Sequence, residues 1–298
     1  MTKVPENLIS QALKTPEIST AVVCAEQEIL LESIKEATEK KFIKPILIGN
    51  QEIIHQIAKK INFNIQNVKI INEKSNIECS VLACKLAKEN KIKIIVKGNL
   101  HTDILMRVYL KKEFGLIEGK RLSHIWYMSA NKLKKPLFIT DGALNVSPRV
   151  DVKLHILKNS ILFAKKIGLE KPKVALLSGT EDPIESMPSS IEAKKVMDQA
   201  VKENLNALIY GPLALDNAIS KEAAKIKNIN NDVAGDADIL LVPNLETGNS
   251  LSKIMVYFMD ACAAGIVTGG KVPVVVPSRA DNTTSKLASI LAAIIDTQ

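Results

Sequence analysis

Ser278 and Arg279 stand side by side in VPVVVPSRADNTTSKLASI, where a β-branched run gives way to polar residues and then to Leu287, Ile290, Leu291 and Ile294 at helical spacing. A strand that ends just before a helix delivers its next residues to unpaired backbone N–H groups and the positive end of the helix dipole. An arginine fork placed there suits a tetrahedral phosphate, and a hydroxyl beside it can donate to a carbonyl or a developing oxyanion. The same residues have a plainer reading, in which Arg279 pairs with a carboxylate of a second domain and Ser278 only turns the chain. Asp281 fits either a base or the N-cap of the last helix, and capping is the commoner use of an aspartate in that position.

Other strand exits carry polar residues of the same kind. IIVKGNLHTDILM sets His101, Thr102 and Asp103 at the start of a helical pattern, where hydroxyl and N–H donors can complete an anion pocket or, for Thr102 and Asp103, only cap the helix. LFITDGALNVSPR places Asp141, Asn145 and Arg149 between a strand and a long helix. DILLVPNLETGNSLSK brings Glu246 and Gly248 to a helix expected to begin at Asn249, where side-chain bonds to the loop backbone are the alternative to ligand binding.

These residues need strands and helices to hold them, and the sequence supplies both. Short apolar runs (STAVVCA, KPILIG, VKIIN, KIKIIVKG, IWYMS, KPLFIT, KVALLS, ALIYG, DILLVP, VPVVVPS) alternate with helical stripes such as Val150 to Ile167. Many runs are apolar on both faces, so helices must cover both sides of mainly parallel sheets. With 298 residues, the chain fits two α/β domains. The polar SANKLKKP, Ser129 to Pro136, predicts a sheet edge or hinge, and AAGIVTGGK, Ala263 to Lys271, a flexible turn before the last strand.

Composition narrows the function classes. The net charge of +8 is spread along helical stretches among Glu and apolar residues, and with 4% aromatic residues no basic run carries a stacking surface for bases. Nucleic acid is therefore a disfavoured partner. No stretch approaches the ~18 uncharged apolar residues of a membrane span, and the first residues lack the apolar core of a signal peptide. Cys24, Cys79, Cys84 and Cys262 show no CxxC spacing, which points to reduced thiols and a cytoplasmic location. Neither a P-loop, a GxGxxG on an early strand, HExxH nor GxSxG is present, and no metal site is expected.

Read as an ordered series, TDGALNVSPRVDVKLHILKNS, IGLEKPKVALLSGTE, YGPLALDNAISKEAAKIKNI, VAGDADILLVPNLETGNSLSK and VPVVVPSRADNTTSKLASI resemble the phosphate acetyl/butyryltransferase family, and more closely its butyryl branch. Weaker similarity extends back to Lys97. The resemblance implies two three-layer α/β/α domains of isocitrate/isopropylmalate dehydrogenase-like architecture with the active site in the cleft between them. The last strand and helix return to the first domain, so the domains are 1–130 with 265–298, and 131–264. It also implies a homodimer that converts acyl-CoA and phosphate to acyl phosphate and CoA, with CoA as substrate or product and no permanently bound cofactor. Ser278 then polarises the acyl carbonyl, Arg279 holds phosphate or the CoA end, and the loop of His101 and Thr102 serves the substrate, with Asp141, Asn145, Glu246 and Asn249 as further binding candidates.

Acetyl-type members carry a carboxylate seven residues after the serine, where this chain has Ser285, so the proton acceptor is open and Asp281 is the candidate. His101 replaces a small hydroxyl residue, and Gly142 a frequent Cys. The rival readings are an NAD-dependent dehydrogenase of a hydroxy acid on the same fold and a non-catalytic CoA-binding protein.

Overall fold

The structure, a computed structural model, describes residues 3–298 apart from 118, 120, 279 and 280. It forms two compact units, Met1–Lys120 with Ala264–Gln298, and Arg121–Ala263.

The first unit opens with α1 (Glu6–Ala12), β1 (Ile18–Val23), α2 (Glu28–Glu39), β2 (Ile43–Gly49), α3 (Gln51–Lys60), β3 (Lys69–Asn72), α4 (Asn76–Lys88), β4 (Ile94–Lys97) and α5 (Thr102–Tyr109). β1, β2 and β4 are buried along almost their whole length, as strands covered on both faces must be. The order β3-β2-β1-β4 winds outward in one direction from β1 and then in the other. Right-handed crossovers therefore put α2 and α3 on one face and α4 on the opposite one. Asn50 and Ser75 cap α3 and α4, accepting N–H bonds of the first turn.

The second unit contains β5 (Ser123–Ser129), β6 (Leu137–Thr140), α6 (Val150–Ile167), β7 (Lys173–Leu177), α7 (Pro188–Lys202), β8 (Leu208–Leu213), α8 (Leu215–Ile219), α9 (Lys221–Ile226), β9 (Ile239–Leu241) and α10 (Leu245–Met259). Its strands run β5-β6-β9-β7-β8, all pairs parallel except the β5/β6 hairpin. Alternation along β6 sends Ile139 into a cluster with Leu177, Leu213, Leu240 and Met255, and Phe138 to the other face against Tyr127 and Phe163. The polar stretch expected as a sheet edge or hinge is the turn of this hairpin and lies inside the second unit. Lys135 in that turn bonds Asp238 at 2.5 Å and Asp236 at 2.9 Å, which fastens it to the entrance of β9.

The chain returns through β10 (Cys262–Thr268), β11 (Val274–Val275) and α11 (Thr283–Asp296). Ala263 to Lys271 is therefore not a flexible turn as expected: most of it is β10, buried throughout and antiparallel to β11. The turn is confined to the residues after Thr268, with Gly269 at φ +94°. α11 is buried on every side from Ser285 to Ile295, and packs against α1 and α2. All four cysteines are buried. Among the described residues no helix is long and apolar enough to cross a membrane.

Candidate active site

β4 and β11 are parallel neighbours, with Ile95 opposite Val274 and Val96 opposite Val275. Their carboxyl ends open on one edge, so the segments leading to α5 and α11 leave the sheet side by side. Winding reverses between β1 and β4, the point at which an open parallel sheet leaves a crevice for ligands.

The β4 exit is laid directly on the β1 exit. A Cβ on Gly98 would lie 2.2 Å from the Cys24 carbonyl oxygen and 2.6 Å from that of Val23, so only glycine fits this approach. The N–H groups of Gly98 and Asn99 donate to those carbonyls at 2.8 Å each. Lys97 is buried beneath the loop and donates to the carbonyls of Leu100 at 2.9 Å and Gly98 at 3.3 Å. His101, not Thr102 or Asp103, holds the N-cap position of α5, and its exposed side chain makes no capping bond. Thr102 is half-buried in the first turn, and Asp103 pairs with Arg107 at 2.9 Å.

The β11 exit is held more tightly. The Ser278 N–H donates to Asp281 Oδ2 at 2.7 Å, and the Ser278 carbonyl accepts from the Asp281 N–H at 3.2 Å and from Lys286 Nζ at 3.1 Å. Lys286 Nζ also donates to the Asp281 carbonyl. The expected capping role of Asp281 falls instead to Asn282, whose side chain accepts from the Ser285 N–H at 2.8 Å. Asp281 is displaced from it because its carboxylate bonds back to Ser278. Arg279 lies outside the described residues. Lys286 is only 1% exposed, and burial holds its ammonium below the ordinary lysine range while the Asp281 carboxylate pulls the other way.

In the second unit the remaining candidates gather at the β6 exit and the head of α10. Asp141 is buried, and its carboxylate accepts from Ala143 N–H at 3.0 Å, Leu144 N–H at 2.9 Å, His124 N–H at 3.0 Å and Asn145 Nδ2 at 2.6 Å. Asn145 Nδ2 also reaches the Leu122 carbonyl at 3.0 Å. These bonds shape the loop from within. The α10 helix starts at Leu245, not at Asn249 as expected, because Asn244 caps it by accepting from Thr247 N–H at 2.9 Å. Asn249 is half-buried and donates to the Gly142 carbonyl at 3.3 Å, whereas Glu246 is exposed. A Cβ on Gly142 would sit 2.5 Å from Trp126 and 2.9 Å from the backbone of Gly248, so this chain has no room there for the cysteine of acetyl-type members.

His124, behind Asp141, carries a buried Nδ1 with no hydrogen-bond partner among the described residues. Burial pushes its pKa from 6.5 down to about 4, against the pull of Asp141. The folded protein thus keeps the imidazole neutral while the unfolded chain takes up a proton, so this contribution is complete above pH ~6.5 and is lost as pH falls toward ~4. Between pH 7.5 and 5 the wild type should lose about 2 kcal/mol more unfolding free energy than His124→Gln, read by guanidinium titration at both values. Parallel losses in the two proteins would show that His124 is already protonated in the fold.

Sequence reasoning missed Lys97, Lys286 and His124. Lys286 had a signal: it opens the run KLASILAAII, apolar on every helical face, in which a lysine must be buried with its neighbours. No group of three or more His, Cys, Asp or Glu among the described residues is placed to hold a metal ion.

Comparison with known proteins bears on the same segments. The family described as phosphate acetyl/butaryl transferase matches residues 74–294. A phosphate acetyltransferase of Rickettsia typhi is 39% identical over 98% of this chain and 84% of its own length. A phosphate butyryltransferase of Clostridium beijerinckii is 36% identical over 99% of this chain and 98% of its own. A branched-chain phosphotransacylase from Enterococcus faecalis V583 superposes with a TM-score of 0.83 at 31% identity, covering 94% of this chain and 99% of that one. The chain belongs to the phosphate acetyl/butyryltransferase family of acyltransferases.

Proposed function

We propose that this protein exchanges coenzyme A for inorganic phosphate on a short acyl group, giving an acyl phosphate, and that it works as a cytoplasmic homodimer with no permanently bound cofactor. The observation that carries the reading is the β11 exit, where Ser278 is fixed beside the N-terminus of α11 within a chain similar over its whole length to acyl-transferring relatives.

In this reading a phosphate oxygen attacks the thioester carbon directly. The C–O bond forms, the C–S bond breaks, and the departing thiolate of CoA takes up a proton. The Ser278 hydroxyl donates to the carbonyl oxygen as charge arrives there. Arg279 and the first-turn N–H groups of α11 attract the anionic reactants and hold them together, and aligned reactants gain as much as ~7 to 11 kcal/mol over free encounter. The exit carrying His101 and Thr102, next to it on the sheet, receives part of the substrate. Asp141, Asn145, Glu246 and Asn249 are assigned to substrate binding, the first two by shaping their loop.

Asp281 has two candidate tasks: holding Ser278, which its bond at 2.7 Å favours, and taking the thiol proton in the reverse direction. Asp281→Asn keeps an acceptor for the Ser278 N–H and separates them, because only a proton acceptor is lost by that change.

The function is tested by following thiol release from acetyl-, propionyl-, butyryl- and acetoacetyl-CoA with and without phosphate. The expected result is release that requires phosphate and varies with acyl length, since each methylene buried contributes about 0.8 kcal/mol. No release from any of them removes the assignment.

A further inference from the structure

Lys286 is the least economical residue of α11. Leu287, Ile290, Leu291 and Ile294 fill the same environment with hydrocarbon, whereas an ammonium withdrawn from water loses its hydration and is tolerated only where other groups replace it. Its hydrogen bonds go to two main-chain carbonyls, those of Ser278 and Asp281. These are the residues whose N–H groups and carboxylate already bind each other across the segment that contains Arg279. The ammonium therefore adds a further hold on the main chains of Ser278 and Asp281, which already bind each other. The neighbouring β4 exit is built alike, with buried Lys97 donating to the carbonyls of Gly98 and Leu100. With its N–H held by Asp281 and its carbonyl held by Lys286 and the Asp281 N–H, Ser278 has both flanking peptide planes restrained, and with them the direction in which its side chain leaves the backbone.

We propose that Lys286 is a positioning residue for acyl transfer: by holding the carbonyls of Ser278 and Asp281, it aims the Ser278 hydroxyl at the reacting carbonyl. The inference rests on the role proposed above for Ser278 and adds a residue that touches neither substrate.

The test is a double-mutant cycle in the full-length protein. Lys286→Met matches the side chain in length and apolar volume and removes only the ammonium. Its kcat should fall on the order of 30-fold, with KM for acyl-CoA within about threefold of wild type and a cooperative thermal transition retained. In a Ser278→Ala background the same change should alter kcat by less than about threefold, because the hydroxyl it aims is gone. A purely structural lysine would instead lower activity by the same factor in both backgrounds. Equal losses in the two backgrounds, or wild-type kcat in Lys286→Met, overturn the proposal. Should Lys286→Met not fold, Lys286→Gln, which keeps one amide donor, runs through the same cycle with the same two outcomes. Wild-type protein that releases no thiol with phosphate overturns the parent function and this role together, whereas an active wild type with an unaffected Lys286→Met overturns this role alone.

Discussion

Arg279→Ala is expected to lower kcat/KM for phosphate about a thousandfold, the upper end of what one preorganised donor to a developing charge contributes. The physical case is that both reactants are anionic and repel each other, so bringing them together requires fixed positive charge at the point of contact. The N-terminus of α11 supplies partial positive charge through its helix dipole, and Arg279 is the full charge next to it in the sequence. Its planar fork can hold two oxygens of one phosphate, which a lysine cannot. Arg279→Lys should accordingly recover only part of the loss, about tenfold. Replacing an exposed lysine such as Lys195 on α7 should change the rate less than about twofold. Equal, mild losses for Arg279→Ala and Lys195→Ala would remove arginine from the reaction.

Ser278→Ala should lower kcat about a hundredfold while leaving KM for both substrates within a factor of about two. The asymmetry reflects when the hydroxyl acts. A thioester carbonyl is a poor acceptor in the ground state and a strong one as the oxyanion forms, so the bond matters mainly at the transition state. The substitution is also clean, because the bonds that hold Ser278 among the described residues are made by its main chain: the N–H to Asp281, and the carbonyl to Lys286 and the Asp281 N–H. Alanine keeps all of these. A rise in KM with unchanged kcat would mean that the hydroxyl binds substrate and takes no part in the chemical step.

Much of the scaffold was legible because burial on both faces leaves a strong mark. The apolar runs of β1, β2 and β4 and the stripe of α6 from Val150 to Ile167 stand where the sequence placed them. β10 was hidden because Gly265 and the two glycines at 269 and 270 bracket a short β-branched core, so the whole stretch resembled a turn. Its burial comes from pairing with β11, a contact no local pattern announces. The run VPVVVPS in turn yields only a two-residue β11, since Pro273 and Pro277 bracket it and lack the N–H that a ladder needs.

The site was legible as a location and less so in its detail. Asp281, Asn282, Thr283 and Thr284 are all competent helix caps, and sequence alone could not choose among them. The choice is made by the Ser278 N–H, which engages Asp281 and leaves Asn282 to cap. Asp141 and Asn145 stand out in the sequence as polar residues at a strand exit, but their partners His124 and Leu122 lie about 20 positions earlier in the chain and are joined to them only by the β5/β6 hairpin. Lys286 differs from both: scattered lysines on helices are usually solvated, and only the all-apolar run it opens marks it as one that α1 and α2 cover.

The most direct measurement of the central claim is phosphorus NMR of the wild-type protein with inorganic phosphate and whichever acyl-CoA releases thiol fastest. Direct exchange predicts one acyl phosphate formed for each CoA set free, and no transfer of labelled CoA into acyl-CoA when phosphate is left out. Free CoA accumulating with the carboxylic acid and no acyl phosphate, or label exchange without phosphate, would contradict it.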